Sequence, residues 1–279
     1  MKKQLKDLNL IDDYLFFTLL NDEVVGEQFG RKLLEIIFNR KFEKLKIVPQ
    51  KVYYGADTDK HGLRLDVYIE EEIDSETLLK NSSIFDLEVE SEKKKGSMDE
   101  LPQRIRFYHA KIDAGSLGSG QDYRVLKKVI VVMIMPFDPF GYDHMVYTIQ
   151  NKCLEVPELP YDDGAKTLFL YTKGTQGNPR EALRELLQYM SDSQEKNVKN
   201  ADLESIHNMV NAMKKNAEVA IGFMKIFEKE RLIREEGKIW GVVKICREFQ
   251  LSEDKIIEKL MKDYHLTRDE AEEACRNLE

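Results

Sequence analysis

Two consecutive segments in the first third of the chain alternate apolar and polar residues with a period of two. Leu63-Arg64-Leu65-Asp66-Val67-Tyr68-Ile69-Glu70 places Leu63, Leu65, Val67 and Ile69 on one face and Arg64, Asp66, Tyr68 and Glu70 on the other. Ile84-Phe85-Asp86-Leu87-Glu88-Val89-Glu90 repeats the arrangement, with Phe85, Leu87 and Val89 opposite Asp86, Glu88 and Glu90. Side chains point alternately to the two faces of a strand, so the segments read as two half-polar strands that follow one another and pair. Upstream, Tyr14 to Leu20 is a short apolar helical piece, and Asn21-Asp22-Glu23 offers a cap for a longer helix. The apolar stripe of that helix is Val24, Val25, Phe29, Leu33, Leu34, Ile37 and Phe38. Leu45 to Tyr54 is strand-like with Pro49 marking an edge or a bulge, and Gly55 to Gly62 is polar enough for a hairpin connection.

Lys93-Lys94-Lys95-Gly96 forms a basic turn, after which Asp99 is placed to cap a helix with Pro102 in its first turn and Ile105, Tyr108, His109 and Ile112 at helical spacings. Val129 to Met135 is the longest apolar run and stops at Pro136, which predicts a buried strand; further strands fall around Met145 to Ile149 and over Ala165 to Tyr171. Beyond Asn178 the pattern turns helical: Glu181 to Met190, a long segment from Leu203 to Arg234, and another from Ile239 to Phe249. Ser252 to Tyr264 and Arg268 to Leu278 form a small helical pair, the second opened by a capping box of Thr267 with Glu270. The fold class expected is α/β with a central mixed sheet flanked by helices, followed by a helical C-terminal region. The corresponding divisions are an α/β core over 1–178, a helical extension packed on it over 179–250, and the helical pair over 251–279.

Composition narrows the chemistry. Lys and Arg number 43 against 51 Asp and Glu, a formal charge of −8, so any nucleic-acid surface must be a local basic patch on an acidic body. The cysteines Cys153, Cys246 and Cys275 are far apart and odd in number, which fits a reducing cytoplasm better than a disulfide framework. Seven consecutive apolar residues fall far short of the roughly 20 that span a bilayer, so no membrane is expected; Asp7, Asp12 and Asp13 also interrupt any secretory leader. The five histidines are isolated in sequence and read as structural, and there is no phosphate-loop, dinucleotide or zinc-finger motif.

The sharpest feature is Asp66 on one strand with Glu88 and Glu90 on the next. Adjacent strands lie about 4.8 Å apart, so three carboxylates on one face converge unless solvent or a cation separates them. Two readings stand: a solvated acidic sheet face, or a site for a hard divalent cation such as Mg²⁺, which lowers the pKa of bound water and stabilises charge at phosphorus.

The ordered segments "GLRLDVYIE", "FDLEVE", "LPQRIRFYHAKID", "VIVVMIMPFDPFG" and "AKTLFLYTKG" resemble the PD-(D/E)XK nuclease family of transposase-related, recombination-promoting nucleases over roughly residues 10 to 225. The resemblance implies a restriction-endonuclease-like core that cuts DNA with Mg²⁺, or with Mn²⁺ in its place. Carried over by position, Asp66 is the Asp of the motif and Glu88 its central acid, with the Val89 carbonyl beside them as a metal ligand. Glu90 falls where the superfamily has Lys and this family often has Gln; a carboxylate there cannot act as a cation, although it can accept a proton or add a metal ligand. Arg104 matches the helix Arg, and Tyr108 follows it on the same helical face, either aimed at the scissile phosphate or bridging helix to sheet. Glu27 and Glu35 on the early helix are either further metal neighbours or ordinary exposed acids. Arg64, Lys93, Lys94, Lys95 and Arg106, with Lys111, Arg124, Lys127 and Lys128 near them in sequence, are the candidates for DNA-phosphate contact, which positions without reading bases. A homodimer would serve to cut both strands of a duplex. The competing expectation, motivated by Glu90 and the acidic balance, is a catalytically inactive nuclease fold that binds DNA or protein.

Overall fold

The computed structural model describes residues 3–53, 63–72, 82–92 and 99–276. Among them the chain forms two compact units, Met1–Asn216 and Ala217–Glu279.

The first unit is built on a six-stranded mixed sheet ordered β1-β4-β5-β6-β8-β7. Its strands are β1 (Leu45–Pro49), β4 (Val67–Glu71), β5 (Ser83–Val89), β6 (Lys128–Met135), β7 (Val146–Gln150) and β8 (Ala165–Tyr171). β5, β6 and β8 run parallel, β4 pairs antiparallel with β5, β1 and β7 are the edges, antiparallel to β4 and β8, and β2 (Val52–Tyr53) pairs with β3 (Leu63–Arg64) as a separate small ribbon. Helices α1 (Asp13–Asn21) and α2 (Gly26–Phe38) belong to one side of the sheet, where the rings of Phe38 and Phe42 pack on Phe85. A Cβ on Gly30 would lie 2.6 Å from Cδ1 of Ile47, so the bare glycine leaves the room that the end of the Ile47 side chain takes up against α2. Helix α3 (Leu101–Ser116) covers the opposite side, burying Leu101, Ile105, Tyr108 and Ile112 against Tyr68, Ile84, Val131 and Met133.

Helices α4 (Glu181–Ser191) and α5 (Ala201–Lys215) complete this unit beside α1 and α2. Ile11 donates its backbone N–H to the Met190 carbonyl at 3.0 Å, and the Arg180 guanidinium donates to the carbonyls of Ile36 and Ile37 at the end of α2, each at 3.0 Å. In the second unit the 32-residue helix α6 (Ala217–Glu248), α7 (Glu253–Tyr264) and α8 (Arg268–Arg276) share a small core of Val243, Cys246, Ile256, Leu260, Ala271 and Cys275. The Thr267–Glu270 capping box forms as the sequence predicts, with the Thr267 N–H donating to Glu270 at 2.8 Å. No helix among the described residues is long and apolar enough to cross a membrane.

Several expectations need correction. The two strands are not half wet: β5 is buried along its whole length because α3 seals the face that carries its acids. The alternation across Leu63 to Glu70 breaks at a bend on Asp66, so Leu65 joins the α3-side core while Val67 lies on the other face. Val24 does not join the stripe of α2; it precedes that helix and is 88% exposed. The residue capping α3 is Glu100 rather than Asp99, and it makes no side-chain cap bond. The long C-terminal pattern divides at Asn216, not near residue 235, and α6 runs unbroken through that point. The boundary between the two compact units lies between Asn216 and Ala217. The expected hairpin connection over 55–62 and the basic turn over 93–96 lie outside the described residues.

Candidate active site

The register between β4 and β5 sets the site. Tyr68 is paired with Asp86 and Val67 with Leu87, so Asp66, one residue before β4, comes opposite Glu88. Asp86 and Glu88 share the face of β5 that α3 covers, because Ile84, two residues before Asp86, packs in the α3-side core. The Asp66 backbone N–H donates to Oε1 of Glu88 at 2.8 Å, and the Val89 N–H donates to the Asp66 carboxylate. Asp66 is half-buried, Glu88 is nearly enclosed and Asp86 is completely enclosed.

Burial is the main cause that raises all three carboxyls above their ordinary range. It takes Asp66 to about 6, partly offset by its contacts with Glu88 and Val89; the negative charge of Asp13, at the start of α1, adds to the rise and Arg104 opposes it. Asp86 is raised by burial and by the charge of Asp66, and Glu88 by burial and by the charges of both aspartates. The carboxyls of Asp86 and Glu88 are in side-chain contact, which two ionised groups sustain only with a proton or a cation to share. Neither oxygen of Asp86 receives a hydrogen bond from a donor among the described residues. Glu70, further along the same face, is a useful contrast. Burial pushes it up as well, but Lys127 at 2.6 Å and the Tyr68 hydroxyl at 3.1 Å hold it below its ordinary value. Glu70 has its cation built in; among the described residues the cation bearing on Asp66 is the more distant Arg104.

Helix α3 supplies the opposite wall. Arg104 and Tyr108, one turn apart, share one side of the helix. Tyr108 is buried, and burial, reinforced by the charge of Glu88, keeps its hydroxyl protonated well above the usual tyrosine range. The Arg104 guanidinium binds Glu90 through both ends of its fork, Nη1 to Oε1 at 3.2 Å and Nη2 to Oε2 at 3.0 Å. Glu90 therefore turns to the helix arginine, next to the acid cluster.

Not every residue singled out by sequence converges here. Glu27 pairs with Arg31 at 2.5 Å and Glu35 with Lys41 at 2.6 Å; the early-helix acid whose charge reaches Asp66 is Asp13. Lys127, Lys128 and Arg124 pair with Glu70, Asp162 and Asp122. Arg106 is exposed on α3. Lys93, Lys94 and Lys95, and the side chain of Arg64, lie outside the described residues. Asp86 is the acid that the sequence reading left out of the site, although the alternation placed it on the same face as Glu88. Asp13 carried no comparable signal.

Among the described residues no group of three His, Cys, Asp or Glu side chains has metal-holding geometry. The donors nevertheless suit a hard divalent cation in kind: carboxylate oxygens drawn together on a rigid sheet, two of them without donors.

A central mixed sheet flanked by helices, with acids at the register step between an antiparallel and a parallel strand pair, is a restriction-endonuclease-like core, here followed by a helical region. Residues 10–156 match the PD-(D/E)XK nuclease family transposases, and the chain belongs to that family. The match takes in Asp66, Asp86, Glu88, Glu90, Arg104 and Tyr108 and ends before β8. Comparison with curated proteins and with solved structures gives no match.

Proposed function

We propose that the protein is a Mg²⁺-dependent DNA endonuclease that hydrolyses phosphodiester bonds in recombination or transposition. The observation that carries this reading is the set of buried, mutually repelling carboxyls of Asp66, Asp86 and Glu88 on one sheet face, beside the guanidinium of Arg104. Asp66 and Glu88 would hold the cation, with the Val89 carbonyl as a backbone ligand and Mn²⁺ as an alternative ion. When bound, the divalent cation supplies Lewis-acid stabilisation of charge at phosphorus and a more acidic water. The chain's own residues do the rest. The Asp86 carboxyl, in contact with Glu88, fixes the orientation of that ligand from behind. The Arg104 fork matches two phosphate oxygens, and the protonated Tyr108 hydroxyl one turn further along α3 offers a donor to the same group. Glu90 pairs with both ends of the Arg104 fork and is no replacement for the superfamily lysine. Arg106, Arg64 and Lys93 to Lys95 would contact flanking backbone phosphates, and a homodimer would bring two such sites to a duplex.

The test is cleavage of supercoiled and linear DNA by purified protein with Mg²⁺ and with EDTA, comparing wild type with Asp66→Asn and Glu88→Gln. Cleavage that requires Mg²⁺ and both acids supports the assignment; equal cleavage by the variants rejects it. One observation favours a second reading, a non-catalytic DNA-binding or protein-interaction module: the carboxylate of Glu90 fills the Arg104 fork. Salt-sensitive DNA binding without cleavage under any divalent ion would select that module.

A further inference from the structure

Among the described residues Arg104 is the cation beside the acid cluster, yet both ends of its fork are already occupied by the chain itself. The contact is bidentate, at 3.0 and 3.2 Å, and sheltered: the Glu90 side chain is 14% exposed and that of Arg104 31%. Each partner is held by its backbone. The Glu90 N–H donates to the Ile134 carbonyl at 3.0 Å, extending the β5–β6 ladder by one bond, and the Arg104 N–H donates to the Glu100 carbonyl at 2.9 Å in the first turn of α3. Nε of Arg104 is buried without a partner among the described residues, so Glu90 satisfies only the outer part of the guanidinium. A carboxylate and a phosphate each offer two anionic oxygens that fit this fork, and they cannot both take the same face of it.

We propose that Glu90 is a built-in competitor for the substrate phosphate: its carboxylate occupies the Arg104 fork in the free protein and must be displaced before Arg104 can hold DNA. This rests on the nuclease reading above and adds to it a residue that sets substrate affinity. The competition favours ligands that bring several phosphates at once, because the additional backbone contacts offset the loss of the internal pair. A lone phosphate or a neutral ligand has nothing with which to offset that loss, and the site stays closed to it.

The experiment is a double-mutant cycle on the full chain, reading the affinity for a short fluorescein-labelled DNA duplex by anisotropy in EDTA, where no cutting occurs. Glu90→Gln keeps the size of the side chain and removes its charge. It is expected to tighten DNA binding by about tenfold, the worth of one released charge-assisted contact. In an Arg104→Gln background the same change at Glu90 is expected to leave the affinity unaltered. Equal tightening in both backgrounds would mean that Glu90 merely repels DNA through space, and no tightening in either would mean that it does not compete; each result overturns the proposal. If wild type and every variant fail to bind DNA, the nuclease reading itself falls and the competition with it. Should Glu90→Gln not fold, Glu90→Asp, which keeps the charge but shortens the reach, carries the same comparison with a smaller tightening expected, again absent in the Arg104→Gln background.

Discussion

Asp66 and Glu88 are joined by a backbone-to-side-chain bond: the N–H of Asp66, at the bend before β4, donates to Oε1 of Glu88 on β5 at 2.8 Å. Glu88 thus has two jobs that its variants separate. It fixes the bend that aims Asp66, and it presents an oxygen to the cluster.

Glu88→Gln retains an acceptor for the Asp66 amide, whereas Glu88→Ala leaves that amide without it. Both are expected to reduce Mg²⁺-dependent cleavage to background, but only the alanine variant is expected to lose stability as well, by about 1–3 kcal/mol for a polar group left unpaired. Asp86→Asn preserves shape behind Glu88 and is expected to lower cleavage by about 10–100-fold, the scale of a residue that orients a ligand. Initial cleavage rates alongside urea unfolding check all three.

The raised carboxyls make stability depend on pH in a definite direction. Asp66 is pushed up to about 6 and Asp86 to about 8 from an ordinary value of 3.8, both mainly by burial. Between about pH 4 and pH 8 the folded chain therefore binds more protons than the unfolded chain, and stability falls as pH rises through that window. Melting temperatures in EDTA should decline from pH 5 to pH 8, and Mg²⁺ should restore more of the loss at pH 8 than at pH 5, since it takes the place of the missing protons. Asp86→Asn should flatten the EDTA profile. A profile that rises with pH would contradict the assignment of these acids as the groups under strain.

What was legible in the sequence follows from what a period of two can report. It assigns Asp66 and Glu88 to neighbouring strands, and Asp86 to the face of Glu88, because those relations are local. It cannot report that α3 closes over that face: the same alternation describes a wet sheet and a sealed one, and the sealing comes from Ile105, Tyr108 and Ile112, which are far along the chain. The bend at Asp66 was likewise hidden, since Leu65 is apolar whichever face it joins. The pairing of Glu90 with Arg104 spans 14 residues and depends on where α3 docks, so the departure at Glu90 was visible as a residue type but not as a contact. The division at Asn216 had no proline or glycine to mark it.

Arg106 tests the phosphate-contact reading away from the scissile bond. It lies two residues after Arg104, hence on a different side of α3, and it is exposed. Arg106→Ala is expected to weaken binding to all duplex sequences alike and to reduce the salt slope by about 0.9, while the Mg²⁺-dependent rise in melting temperature stays at the wild-type value. Unchanged affinity and slope would remove Arg106 from the DNA-binding surface.

The position of the unit boundary yields a further prediction about where the functional core ends. Leu186, Leu187, Tyr189 and Met190 of α4 and Leu203, Ile206 and Val210 of α5 are all buried within the first unit. Tyr189 bonds to His207 at 2.9 Å, Lys32 of α2 reaches Asp202 at 2.8 Å, and Leu10 donates to Ser193 at 2.7 Å just ahead of α1. Asp13 begins α1, and its charge bears on Asp66. A chain ending at Asn216 is expected to unfold cooperatively and to retain Mg²⁺-dependent cleavage. A chain ending at Asn178 is expected to be insoluble or to lack a cooperative transition, because each fully buried leucine or tyrosine removed forfeits about 1.5–3 kcal/mol of burial. Circular dichroism melts and cleavage assays on the two truncations decide the matter: a cooperative, active 1–178 fragment would show that α4 and α5 are dispensable to the nuclease core.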